Sequence, residues 1–196
     1  MDRREELSDF IKKHREVRKQ NKRNYLIEND IVIKNDFLIN LNTLISEQIQ
    51  RQKKMSTGKI KFVYLCRILS SDYTGSYEVL IGMSNHMLYL DENRSQVFWY
   101  SEILHSSLNE DLMEAEKILR KNYLRLEDYE LFYIKCQLLN DNWDILLEYY
   151  RTLAEQCVTQ IKNSKLQLSE DLCFLCGNYM DNLKIVWYTE REEMDG

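Results

Sequence analysis

The sequence contains no proline, although average usage near 5% would place about ten in a chain of 196 residues. This absence excludes a proline-rich linker or recognition tail and any slow X-Pro isomerisation during folding. Glycine is also scarce, with five copies, and none of them belongs to a GxxxxGK pattern. The sequence therefore has no phosphate-cradling loop of the kind that common nucleotide-binding enzymes use.

Long apolar runs are missing as well. No stretch approaches the roughly 18 apolar residues that a membrane-spanning helix needs. Met1 is followed at once by charged residues and not by the apolar core of a secretory signal. The five cysteines suit reduced thiols that pack as small hydrophobic groups. We therefore expect a cytoplasmic protein without membrane contact.

The strongest pattern that is present lies between Lys59 and Tyr100. Four runs rich in β-branched and aromatic residues alternate there with polar breaks, and they read KIKFVYLCRIL, SYEVLIGM, HMLYLD and QVFWY. Such spacing is typical of an antiparallel β-meander. The first run is apolar on both of its faces, which predicts a central strand covered on both sides.

Helical periodicity surrounds this segment on both sides. We predict N-terminal helices over 3–23 and from about 35 to 54, and later helices from 106, over 126–139 and over 141–162. Ser107 and Glu110 fit a capping box, and Asn140-Asp141-Asn142 predicts a break. Ser169 is expected to cap a short further helix that ends at Gly177.

These patterns predict one α+β domain with a central antiparallel β-meander of about four strands (residues 59–100), packed by N-terminal helices and a C-terminal helical group. Its predicted parts are a helical part over 1–56, a sheet over 57–104, a helical part over 105–180, a late strand over 183–188 and an acidic tail over 190–196.

Cys173 and Cys176 form the only CxxC motif. A structural zinc ion needs four ligands, and the sequence offers no second CxxC or HxxxH to complete the set. A redox motif would place its thiols at a helix N-terminus. Buried structural cysteines are therefore the favoured interpretation, with zinc binding and redox chemistry as the alternatives.

No catalytic constellation accompanies them. His105 adjoins two serines, but adjacency in sequence is not a triad, and there is no Gly-x-Ser-x-Gly elbow. Acidic pairs such as Glu110-Asp111 fall at predicted helix N-termini, where the helix dipole already favours negative charge. We therefore predict neither a cofactor nor a metal and favour a protein that is not an enzyme. An enzyme whose site is assembled from residues scattered along the chain is the alternative.

Charge is divided unevenly along the chain. Through Arg67 there are 16 basic and 9 acidic residues, whereas the remainder has 11 and 23. Such asymmetry indicates either a basic surface for an acidic partner or two halves that attract each other. Seven basic residues crowd into one helix: Lys12, Lys13, Arg15, Arg18, Lys19, Lys22 and Arg23.

We predict that these seven residues, together with Trp99 and Tyr100, contact a partner. The functional hypothesis is a non-enzymatic interaction or regulatory protein, of inhibitor, immunity or adaptor type, that binds another protein. The alternative is a nucleic-acid-binding protein that uses the basic N-terminal segment. Association into a homo-oligomer is a further hypothesis.

Overall fold

The computed structural model describes residues 3–55 and 58–189. It confirms the α+β class, because helices in the N- and C-terminal regions accompany one five-stranded sheet. The helices are α1 (Arg3–Phe10), α2 (Lys12–Glu28), α3 (Asp30–Met55), α4 (Leu69–Thr74), α5 (Glu102–His105), α6 (Leu108–Leu119) and α7 (Asp128–Lys162). The strands are β1 (Ile60–Arg67), β2 (Val79–Ser84), β3 (Ser95–Trp99), β4 (Leu168–Asn178) and β5 (Leu183–Tyr188).

The chain divides into two compact units. Unit 1 comprises the described residues within Met1–Asp30 and Ser101–Glu148. Unit 2 comprises those within Ile31–Tyr100 and Tyr149–Gly196, and it holds the whole sheet. The arrangement as one domain stays a prediction.

The sheet of unit 2 has the strand order β3-β2-β1-β4-β5. All neighbours are antiparallel except β1 and β4, which run parallel. The predicted central strand is confirmed, because β1 lies in the middle and most of its residues are buried. The sheet is therefore mixed, with β1, β2 and β3 forming the meander part.

The predicted meander strand HMLYLD does not form. That segment contains a one-turn 3-10 helix over Leu88–Leu90. The Asp91 carboxylate accepts hydrogen bonds from the backbone amides of Asn85 (2.9 Å) and Asn93 (3.0 Å). These local bonds offer the backbone an alternative to a strand ladder, which explains why an apolar run becomes a turn.

α3 and the part of α7 that belongs to unit 2 cover one face of the sheet, here called the inner face. The ring of Phe37 on α3 packs edge-on against Trp99 of β3, with centroids 5.2 Å apart, and against Tyr150 of α7 at 6.0 Å. Leu41 and Leu44 of α3 are fully buried on the same helix. This face holds the larger share of the apolar core.

The opposite face of the sheet is here called the outer face. Its centre is a small buried cluster of Tyr64, Cys66, Leu80 and Leu175. Gly82 of β2 pairs with Tyr64, and a Cβ at that glycine would lie 2.1 Å from the tyrosine ring carbon Cζ. A side chain at position 82 is therefore excluded by the ring that crosses it.

The predicted helix after Ser169 is wrong, because this segment forms β4. Leu172, Phe174 and Cys176 are buried at every second position, which is strand periodicity. β4 supplies the second neighbour that the apolar central strand needs. Gly177 lies where β4 passes close to the backbone of Asn182, so its role is close approach and not helix capping. The late strand is confirmed as β5.

The predicted break at Asn140-Asp141-Asn142 is also wrong, since α7 runs through it without interruption. The side chains of Asp141 and Asn142 are buried and bonded inside unit 1. Asp141 pairs with Arg15, and the Asn142 amide donates to the Leu104 carbonyl at 2.8 Å. These tertiary partners override the usual turn preference of Asn and Asp.

Smaller differences occur at helix ends. The N-terminal helix is divided at Ile11, and α3 begins five residues before the predicted start. The capping box fails because Ser107 has φ +57° and its hydroxyl donates to the Asp111 carboxylate instead of accepting from a backbone amide. The predicted acidic tail over 190–196 lies outside the described residues.

Candidate functional site

The basic helix α2 directs its long cations into unit 1. The guanidinium of Arg15 donates two hydrogen bonds of 2.8 Å to the Asp141 carboxylate. The guanidinium of Arg18, only 4% exposed, donates to the carboxylate of Asp111 at 2.6 Å and to the side-chain oxygen of Asn142. Both cations therefore join segments that are about a hundred residues apart in sequence.

Lys22 is buried in the same way, with 7% of its surface exposed. Its ammonium donates to the backbone carbonyls of Ser106 (2.6 Å) and Ile103 (3.3 Å) at the end of α5. Burial, and then the charge of Arg18, lower the pKa of Lys22 to about 8. This lysine stabilises the C-terminal end of a short helix, where a cation is favoured.

The prediction that Arg18 and Lys22 contact a partner is therefore wrong, because their charged groups are inside unit 1. Arg15 is tied to Asp141, Arg23 forms an exposed pair with Glu148, and Lys19 pairs with Glu16. Lys12 and Lys13 are exposed on the surface. In unit 1 part of the charge asymmetry therefore reflects attraction within the chain, and two of the seven cations, Arg18 and Lys22, are buried. The nucleic-acid-binding alternative stays a prediction.

A cleft of about 450 Å3 opens beside α2 in unit 1. It is lined by His14, Lys22 and Tyr25 of α2 and, among other residues, by Glu102 and Asp111. Tyr25 is hydrogen-bonded to the Glu102 carboxylate, and burial followed by that bond raises its pKa. His14 Nε2 is buried without a hydrogen-bond partner among the described residues. The Lys22 ammonium in this cleft is bonded to the carbonyls of Ser106 and Ile103.

The CxxC cysteines lie on a strand, three residues apart, so their side chains point to opposite faces of the sheet. Burial raises the pKa of Cys176, and it raises that of Cys66 and of Cys157 to about 11. Such thiols remain protonated and are poor nucleophiles and ligands. Within residues 3–55 and 58–189, no cluster of three or more His, Cys, Asp or Glu side chains is arranged to hold a metal ion.

The prediction that Trp99 contacts a partner is wrong as well. It is buried on the inner face, and its indole Nε1 donates to the Asp36 carboxylate at 2.7 Å. Tyr100, the next residue, is about half exposed. The alternation along QVFWY was the right signal, but it could not say which side of the strand α3 would cover.

Sequence reasoning missed the exposed apolar residues of the outer face. Phe98 of β3 is 59% exposed, and Ile185 and Tyr188 of β5 are 59% and 56% exposed. Phe98 pairs with Leu80, and Ile185 pairs with Leu175, so the two exposed residues flank the buried cluster on the same face. The available signal was the alternation in QVFWY, which places one large apolar side chain on each face. In LKIVWY, alternation alone would separate Ile185 from Tyr188, and the register shift of the β4–β5 ladder brings both to the outer face.

Comparison with protein-family models, with curated proteins and with solved structures finds no match to this chain. No helix within the described part of the chain has the length and apolar character needed to cross a bilayer. Function has to be inferred from the geometry of the two units.

Proposed function

We propose that this chain is a non-enzymatic protein-binding protein of the cytoplasm, of the inhibitor, immunity or adaptor kind, and that the outer face of the unit 2 sheet contacts its partner. The observation that carries the proposal is the exposure of Phe98, Ile185 and Tyr188 beside the buried outer-face cluster. Ile185 and Tyr188 lie together on β5, and Phe98 lies on β3 at the opposite edge of the same face. Exposed large apolar groups that share one face mark interaction surfaces more often than isolated ones do.

The chemistry of the cysteines supports a binding role over catalysis. Burial raises the pKa of the thiols of Cys66, Cys157 and Cys176, and the buried cations of unit 1 are held by intramolecular acceptors. Aromatic groups such as Phe98 and Tyr188, by contrast, are the side chains enriched at the centres of protein interfaces. Lys12, Lys13 and Tyr100 remain predicted contacts at the surface.

The test is photo-crosslinking in cells of the source organism. A benzophenone side chain is placed at Phe98 or at Tyr188, and crosslinked partners are identified by mass spectrometry. We expect the same stoichiometric protein from both positions. A matched control carries the same group at Leu124 of unit 1, which is fully exposed, and should not capture that protein.

Specificity is then tested by substitution. Phe98→Asp and Ile185→Asp place a charge on the outer face, and each should abolish capture through Tyr188. Leu124→Asp is the control, since it adds the same charge to unit 1 and should leave capture unchanged. Capture that survives both outer-face substitutions would overturn the proposal.

A further inference from the structure

β5 is an edge strand of the sheet. It pairs with β4 on one side, and within the described chain no strand pairs with its other side. An unpaired edge presents a row of backbone amides and carbonyls that can accept another strand about 4.8 Å away. The six residues of β5, LKIVWY, include a single charge, that of Lys184.

A groove of about 640 Å3 follows this edge. It is lined by five consecutive residues, Ile185 to Thr189, and by Lys162 at the end of α7. The Lys162 ammonium lies 5.7 Å from the centre of the Trp187 ring, so α7 forms one wall. A groove bounded by successive residues of one strand has the shape that an added extended segment would fill.

The two sides of the groove differ in chemistry. Lys184 pairs with Cys176, so its side chain projects on the inner face, which is also the side of Lys162 and Trp187. Ile185 and Tyr188 project on the outer face and are more than half exposed. A strand laid beside β5 would therefore meet two lysines with the side chains of one face and apolar groups with those of the other.

We propose that the β5 edge binds an extended segment of the partner protein by strand addition, and that this segment alternates acidic and apolar residues. Lys184 and Trp187 are three residues apart but share the inner face, because the β4–β5 ladder shifts register between them. An added strand that follows the same register places its residues at every second position opposite Lys184 and opposite Trp187 with Lys162, and there it carries acidic side chains. The apolar residues between them continue the outer face beside Ile185 and Tyr188. Backbone hydrogen bonds supply affinity, and the alternating side chains supply specificity. This inference rests on the proposed protein-binding function.

The opposite edge, β3, provides an internal comparison. Ser95 and Trp99 at the two ends of β3 are buried and bonded to α3, through Gln48 and Asp36. No lysine or arginine lies in β3. An acidic and apolar segment should therefore prefer β5 to β3.

The test uses the full chain and a blocked peptide probe, Glu-Val-Glu-Val-Thr-Val-Glu, at low salt. Binding is followed by backbone amide NMR with hydrogen exchange. We expect the outward-pointing amides of β5 to exchange at least about tenfold more slowly when the probe is bound, because they become hydrogen-bonded. The amides of β3 should show no change.

Two N-methylated probes separate strand addition from simple apolar docking. One is methylated at its valine amides and the other at its remaining amides. A strand donates from alternate residues on each edge, so one of the two should bind about tenfold more weakly or worse, since several backbone hydrogen bonds are lost. Equal binding of both methylated probes and the parent would overturn the proposal.

Substitutions in the chain test how much the side chains beside β5 contribute to binding of the probe. Lys162→Glu should weaken binding about two- to fivefold, as expected for an exposed ion pair, and Lys184→Glu should act alike. Ile185→Lys and Ile185→Asp both remove the apolar contact on the outer face and should weaken binding, and Ile185→Asp should weaken it more because its charge repels the acidic probe. Leu124→Asp in unit 1, at a fully exposed position, is the matched control and should change nothing.

The outcomes distinguish this inference from the proposed function. Loss of cellular crosslinking at Phe98 and Tyr188 would remove the protein-binding function itself. Intact crosslinking, together with a probe that fails to bind at millimolar concentration or that protects amides away from β5, would overturn strand addition alone. Slowed exchange in β5 with the expected pattern of methylated probes supports it.

Discussion

The two units hold distant parts of the chain together by different means. In unit 1 the long-range connections are charged: Arg15 reaches Asp141, Arg18 reaches Asp111, and Lys22 reaches the carbonyl of Ser106. In unit 2 they are mainly strand ladders and apolar contacts. Its buried ion pair, Arg67 with Asp72, joins residues only five apart, and its long-range pair, Lys61 with Asp171, is about one-third exposed.

The difference follows from what each unit has to bury. The buried residues of α2 are Arg18, Lys22 and Leu26, so one of the three is apolar. The aliphatic stems of the two cations provide much of the packing surface, and their charged ends then need internal acceptors. The strands of unit 2 are rich in apolar residues and need no such arrangement. Basic residues that cluster in a sequence can therefore be buried in the interior of a fold and need not form a binding surface.

The largest expected effect tests the charged interior of unit 1. Arg18→Met keeps the stem but leaves Asp111 and Asn142 without their cationic partner. Loss of one partner of a buried pair typically lowers stability by about 3–5 kcal/mol, and we expect a decrease of that size in the free energy of unfolding by urea. A decrease below about 1 kcal/mol would show that unit 1 does not depend on its buried charges, and the comparison would fail.

A somewhat smaller effect tests packing in unit 2. Gly82→Ala places a Cβ 2.1 Å from the buried ring of Tyr64, and overpacking of this kind typically lowers stability by about 1–3 kcal/mol. The control is Gly58→Ala, whose Cβ would make ordinary contact at 3.5 Å with Asn85 and should change stability by less than about 0.5 kcal/mol. Equal thermal midpoints for the two variants would contradict the packing of Tyr64 across β2.

As the pH becomes alkaline, buried groups in the two units should change the stability of the protein in opposite directions. The pKa of Cys157 in unit 2 is raised by burial from 9.0 to about 11, so the folded state holds that proton more tightly than the unfolded chain does. This contribution is fully present below pH 9 and is lost as the pH rises through about 11. The pKa of Lys22 in unit 1 is lowered by burial from 10.5 to about 8. Between pH 8 and 10.5 the folded state binds fewer protons at Lys22 than the unfolded chain does, so this group makes stability rise with pH.

Urea unfolding of two variants between pH 7 and 11 measures how stability depends on pH through each of these two groups. Relative to the unaltered chain, Cys157→Ala should lose less stability above pH 9, and Lys22→Met should gain less between pH 8 and 10.5. Each difference should be on the order of 1–3 kcal/mol, because one pKa unit corresponds to about 1.4 kcal/mol. Two variants with the same pH dependence would show that neither group is buried as described.

The smallest expected effect separates burial from charge. Arg23→Met removes a cation from the same helix as Arg18, but its pair with Glu148 is exposed. Exposed pairs contribute about 0–1 kcal/mol, so the change should stay below about 1 kcal/mol and should vanish in 1 M salt. A loss as large as that of Arg18→Met would mean that the number of charges, and not their burial, stabilises unit 1.

Much of the sheet could be predicted from local pattern. The runs around Phe62, Ile81 and Val97 alternate or are apolar on both sides, and they form β1, β2 and β3. LKIVWY was predicted as a late strand for the same reason and forms β5. β4 could not be predicted in this way, because LCFLC also suits a buried helix and only its pairing with β1 decides between the two.

The candidate site was harder to predict than the fold. Of the residues expected to contact a partner, Arg18, Lys22 and Trp99 are buried, whereas the exposed Phe98, Ile185 and Tyr188 were not among the predicted contacts. Charge and aromatic character are visible in a sequence, but exposure depends on which face of an element meets another element. Phe98 and Trp99 are neighbours in the chain and differ because α3 covers one side of β3.

Local periodicity by itself determined the α+β class, the central strand and the late strand, because side-chain alternation and apolar content are properties of short segments. Tertiary structure alone determined which polar groups are buried and with which partners they form hydrogen bonds. Asn142 lies inside a continuous helix and Lys22 lies inside unit 1, because each finds its hydrogen-bond partners in segments distant along the chain. A buried polar group needs such partners, and a single sequence does not show where they are.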